Sequence, residues 1–203
     1  MKKVLALLAV ALFSVSAFAM NAAAPADEKC PGKATFEKYV ASQENESFIA
    51  QNILINLSDP MESMTDEEAL PLAACYQTYR VKGQTLVEFV RSHAEIFPGD
   101  IHKVEAKKLY NFAARVEALN EKVAFDKMAS QPNEYFIAQN ILINLADPFS
   151  KLSDEQAAFK AKYYLGFKVK NEPMISFAKR FAQHYSEFEE LNDFVGRIEF
   201  FTR

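Results

Sequence analysis

"FIAQNILINL" occupies residues 48–57 and recurs unchanged at 136–145. The identity extends outward: Ser42 to Pro60 matches Ser130 to Pro148 at 16 of 19 positions, while Met61 to Pro98 matches the residues 88 further on at only 9 of 38. Near the two ends, Asn111-Phe-Ala-Ala-Arg-Val-Glu117 is similar to Asp193-Phe-Val-Gly-Arg-Ile-Glu199 at an offset of 82, so the second copy lacks six residues present between Phe97 and Asn111. This period is about twice that of the common two-helix repeats, which predicts roughly four helices per copy. The fold expected is all-α, with repeats at 34–121 and 122–203 packed as a helical repeat or a pseudo-twofold bundle.

Local signals place the helices. Proline disfavours the helical conformation in the residue before it, so Asp59-Pro60 and Asp147-Pro148 are expected to end the decapeptide helix. Thr65 with Glu68, and Ser153 with Gln156, form capping-box patterns that start the next helices. Those helices are expected to end at Gly83 and Asn171, residue types that take the left-handed turn readily. Pro71 predicts a late start or a kink. Further helices are read at about Thr85 to Phe97 and Pro173 to Tyr185, and Pro98-Gly99-Asp100 turns into a long helix reaching roughly Lys122. Nothing alternates as a half-buried strand does, and five glycines leave little material for hairpins or a phosphate-cradling loop.

Met1 to Ala19 reads as a secretory signal: Lys2 and Lys3, an apolar run Val4 to Phe13, then Ala17-Phe18-Ala19 before the cut. Export to the periplasm or outside the cell follows, with an extended leader over 20–33. The apolar run is about half the length that a membrane-spanning helix needs, and no later stretch is long and uncharged enough to span. Losing Lys2 and Lys3 takes the net charge from −4 to −6, and no basic run exceeds Lys107-Lys108. Nucleic acid, itself densely anionic, is therefore excluded as the expected partner. Cys30 and Cys75, in an oxidising compartment and far from C-x-x-C spacing, predict one structural disulfide.

On a helical wheel Ile49, Ala50, Ile53, Leu54 and Leu57 form a core stripe. The opposite side carries Phe48, Gln51, Asn52, Ile55 and Asn56, repeated as Phe136, Gln139, Asn140, Ile143 and Asn144. Two readings of that face stand. In one, the helix is interior and its amides pair with neighbouring backbone; the lack of charge over Ser47 to Ser58 and Tyr135 to Ala146 favours this. In the other, Phe48, Gln51, Asn52, Asn56, Phe136, Gln139, Asn140 and Asn144 are candidate ligand-binding residues for a protein, a peptide or a neutral polar ligand.

Arg115 and Arg197 recur two residues before Glu117 and Glu199, a spacing that cannot pair them within one helix. Each is expected to form a salt bridge with a carboxylate on another helix, Asp59 and Asp147 being candidates, with anion binding as the second reading. His93 aligns with Phe181 on an apolar face and reads as a core histidine, and His102 reads as a solvated residue beside a turn. His184 and Glu187, one helical turn apart, supply two ligands where a metal site needs three or four. No nucleophile elbow, zinc-protease motif or phosphate loop is present, so no catalytic residue, metal or cofactor is assigned. The function expected is an exported binding or interaction protein. The alternatives are a hydrolase or metal-dependent enzyme built on His184 and nearby carboxylates, and a structural envelope component.

Overall fold

The computed structural model describes residues 30, 32–96 and 103–203. The signal, nearly all of the leader, the Pro98-Gly99-Asp100 turn and His102 lie outside the described residues.

Helices dominate the described residues, as an all-α chain requires. Helix α1 (Lys33–Ser42) leads to α2 (Glu46–Ile53), a π-helical turn (Leu54–Ser58), α3 (Asp59–Glu62) and α4 (Asp66–Tyr76). A hairpin of β1 (Arg80–Val81) and β2 (Gln84–Thr85) then leads into α5 (Leu86–Ile96) and α6 (Lys103–Ala129). The order then runs α7 (Glu134–Ile141), a second π-helical turn (Leu142–Ala146), α8 (Asp147–Ser150) and α9 (Asp154–Tyr164). It closes with β3 (Lys168–Val169), β4 (Glu172–Pro173), α10 (Met174–His184), a 3-10 turn (Ser186–Phe188) and α11 (Glu190–Thr202). From α2 to α5, every bound has a counterpart 88 residues on.

The starts of α4 and α9 follow the sequence. The side chains of Thr65 and Ser153 accept from the backbone N–H of Glu68 and Gln156, which reach back to the N-cap backbone in turn. Helices α2 and α7 start on Asn45 and Asn133, whose side chains accept from the N–H of Ser47 and Phe136.

Three expectations about the helix ends are corrected, and the late start read at Pro71 is not seen. Pro60 and Pro148 do not stop the decapeptide helix. The chain widens into π turns, in which the N–H of Asp59 and Asp147 reaches the carbonyl of Leu54 and Leu142, and then continues into α3 and α8. Widening moves away the carbonyl that a proline ring strikes in a regular helix, and each proline then sits in a first turn, where a missing N–H is tolerated. Gly83 and Asn171 do not end α4 and α9, which finish at Tyr76 and Tyr164. Instead, positive φ at Lys82 (48°) and Gly83 (87°), and at Lys170 (49°) and Asn171 (74°), makes two-residue hairpin turns of the primed kind. Strands are thus present, in two small antiparallel pairs. Helix α4 starts at Asp66 without delay and holds Pro71 internally; Pro71 and Glu67 are both exposed, so water can take the place of the lost donor. Helix α6 runs past Lys122 to Ala129, and residues 32–203 form one unit.

Helix α6 is the centre of the packing. It touches α4 and α5 along one part and α7, α9 and β3 along another, while α11 packs on α9 and α10. One apolar cluster joins Phe125 of α6 to Ile137, Phe149, Tyr164, Phe177 and Phe194. Between α6 and α9 the contact is polar: Lys160 and the Tyr164 hydroxyl both donate to Glu121, and Arg91 of α5 donates to Glu117. Burial pushes the Glu117 carboxyl above the usual carboxylate range, although Arg91 opposes the shift. Cys30 and Cys75 are disulfide-bonded, as expected.

Candidate functional site

The decapeptide buries one side only. Ile49, Ala50, Ile53, Leu54 and Ser58 are interior, and Leu57 is half-buried. The second copy buries Ile137, Ala138, Ile141, Leu145 and Ala146. A π turn carries one extra residue, so the helix face that follows it is rotated relative to a regular helix.

The other side is open. Phe48 is 56% exposed, Ile55 54%, Phe136 46% and Ile143 58%. Gln51, Asn56, Gln139 and Asn144 are exposed, and Asn52 and Asn140 are half-buried. The interior reading is therefore overturned. The helix has neighbours on one side, α5 and α6 in the first copy and α6, α10 and α11 in the second, and absence of charge reflects something other than burial.

The amides of Asn140 and Asn144 bond within their own segment. Asn140 Nδ2 donates to the Phe136 carbonyl at 2.8 Å, and Asn144 Nδ2 donates to Asn140 Oδ1 at 3.0 Å. The charges flanking each strip are engaged away from it. Glu134 pairs with Arg180, Asp59 with Lys108 and Asp147 with Lys151. What the strip offers is apolar contact from Phe and Ile beside amides that can donate and accept at once.

Arg115 and Arg197 hold the turns that follow α3 and α8. Arg115 donates to the carbonyls of Met61 and Met64 and to Asp66 Oδ1 at 2.8 Å. Arg197 donates to the carbonyls of Phe149, Ser150 and Leu152, with Asp154 Oδ1 at 3.5 Å. The partners are thus Asp66 and Asp154, not Asp59 and Asp147, because each guanidinium reaches the carbonyls at a helix end and the first acid of the next helix.

His93 is buried and stacked on Phe89 at 4.1 Å, with Nε2 3.4 Å from Glu46, which makes it a core histidine as expected. His184 and Glu187 do not share a helix face. Helix α10 ends at His184, Tyr185 is extended, and Glu187 accepts from the Tyr135 hydroxyl at 3.2 Å. Among the described residues, no three His, Cys, Asp or Glu side chains are grouped to hold a metal ion.

A feature that sequence reasoning missed adjoins the second strip. A cleft of about 450 Å³ lies between α7 and α10, lined by Glu134, Tyr135, Arg180, His184 and Tyr185 among others. Arg180 donates to Glu134 at 3.2 Å and Glu172 at 2.9 Å, and lies over the rings of Phe177 and Phe181. Its counterpart 88 residues earlier is Ser92, so comparing the copies gave no signal for it.

Fold and site together define an all-α protein bearing a matched pair of uncharged surface strips on π-interrupted helices. Comparison of the chain with known protein families, curated proteins and solved structures returns no match.

Proposed function

We propose that this chain is an exported, two-repeat helical interaction protein that binds a protein or peptide partner through the strips on α2 and α7. One observation carries the reading: the ten residues that the copies share without change include large apolar side chains turned to solvent. Packing explains identity on the buried side, but does not require Phe48 and Ile55 to recur as Phe136 and Ile143. Side-chain amides match peptide N–H and C=O groups, and exposed Phe and Ile supply the apolar footing that protein contacts use. Matching bounds from α2 to α5 and α7 to α10 support a tandem pair of units, with α6 serving both. The signal-like start and the disulfide support export.

Site-directed photo-crosslinking in the producing cells tests the proposal. A photoreactive residue at Ile55 or Ile143 is expected to capture the same partner, and one at exposed Val104 on α6 is not. Equal capture from all three positions, or none from the strips, contradicts it.

A further inference from the structure

Helix α11 presents a second open face, and its composition is self-complementary. The corresponding face of α6, 82 residues earlier, is covered within the chain. There Tyr110 bonds to Gln156 and Glu121 holds Lys160 and Tyr164, while Ala114 and Ala118 are buried between them. On α11 the alanines are replaced by Gly196 and Phe200. Both are exposed: Phe200 is 71% accessible, and a Cβ built on Gly196 would meet nothing within 4 Å. The helix thus carries a hole and a knob one turn apart.

Asp193 and Arg203, also exposed, extend the same face. The spacing Asp193, Gly196, Phe200 keeps these three on one helical stripe, and Arg203, the C-cap residue three further on, continues the spacing. We infer that this stripe binds a second copy of the chain, α11 against α11, antiparallel about a twofold axis near Ile198. That axis sets Phe200 of each copy over Gly196 of the other, and Asp193 of each beside Arg203 of the other. A parallel arrangement sets acid on acid and base on base, which the charges oppose. A second copy of the face fits both its shape and its charge.

A 13-residue helix is about 20 Å long, so one helix pair buries less than the roughly 1,200 Å² of a stable interface. The dimer is therefore transient and concentration-dependent. It uses none of the strip residues, so it stands or falls apart from the binding proposal.

Sedimentation equilibrium of the oxidised mature chain, up to about 1 mM where contacts of this class are populated, tests it. The average mass should rise with concentration. Phe200→Glu, on an exposed site, should stay folded by circular dichroism and weaken self-association at least about tenfold, as loss of a central anchor does. Asp193→Arg alone and Arg203→Asp alone should each weaken it, and the two together should restore it. A chain that remains monomeric throughout, a dimer indifferent to Phe200→Glu, or a double variant that fails to recover overturns the inference.

Discussion

At the scale of single residues, Arg115 shows how a motif can be legible while its partner is not. The recurrence of Arg115 and Arg197 signalled a structural role, but the groups they hold are mostly backbone carbonyls, which no side-chain pattern announces. Arg115→Ala removes the guanidinium from the Met64 carbonyl and the Asp66 carboxylate and leaves the Met61 carbonyl with the Met64 N–H alone, and is expected to cost about 2 kcal/mol in urea unfolding. Arg115→Lys should recover less than half of that, because an ammonium cannot fork to carbonyls and carboxylate together. The capping boxes add a pH test. Hydrogen bonds from Thr65, backbone first and then hydroxyl, hold the Glu68 carboxyl below the usual range. A depressed folded value means that its contribution is present above the ordinary carboxylate pKa and fades as pH falls through the lowered one. Thr65→Ala should therefore destabilise less at pH 3 than at pH 7. Ser153→Ala, whose box uses the uncharged Gln156, should cost about 1 kcal/mol at both.

At the scale of elements, helix starts were readable and helix ends were not. A cap is a local contract between a side chain and a nearby N–H, so Thr65 and Ser153 could be read directly. Gly83 and Asn171 were read correctly as left-handed positions, yet positive φ serves a helix end and a hairpin turn equally. Which one forms depends on whether Tyr79 and Phe167 can bond across to Leu86 and Met174, a contact beyond local sequence. A Cβ at Gly83 meets no atom within 4 Å, so the cost of a substitution there is conformational alone. Gly83→Ala is expected to lose about 1 kcal/mol, and Gly83→Asn, copying the turn at Asn171, to lose less, as paired thermal melts would show. The π turns escaped prediction because Pro60 and Pro148 look like stops. A one-residue widening lets the helix continue into Asp59 and Asp147.

At the scale of the whole molecule, the all-α architecture was visible from the duplication and the caps. In the decapeptide, lack of charge is no measure of interior position. In the fold, α2 and α7 lie with one side on the core and the other facing solvent, and the side that bears the amides faces solvent. The eight candidate residues, chosen as the second of two readings, therefore lie at the surface or half-buried, whereas the cleft around Arg180 was hidden because it belongs to one copy alone. The central claim is that the strip residues are kept for an external partner and contribute little to folding. Its most direct test is the thermal midpoint of a variant carrying Ala at Asn52, Asn56, Asn140 and Asn144. The account predicts a midpoint within about 3 °C of the parent, since exposed or half-buried amides on the solvent side contribute tenths of a kcal/mol and alanine favours helix. A fall of more than about 8 °C would show that these amides hold the fold together, and would contradict the claim.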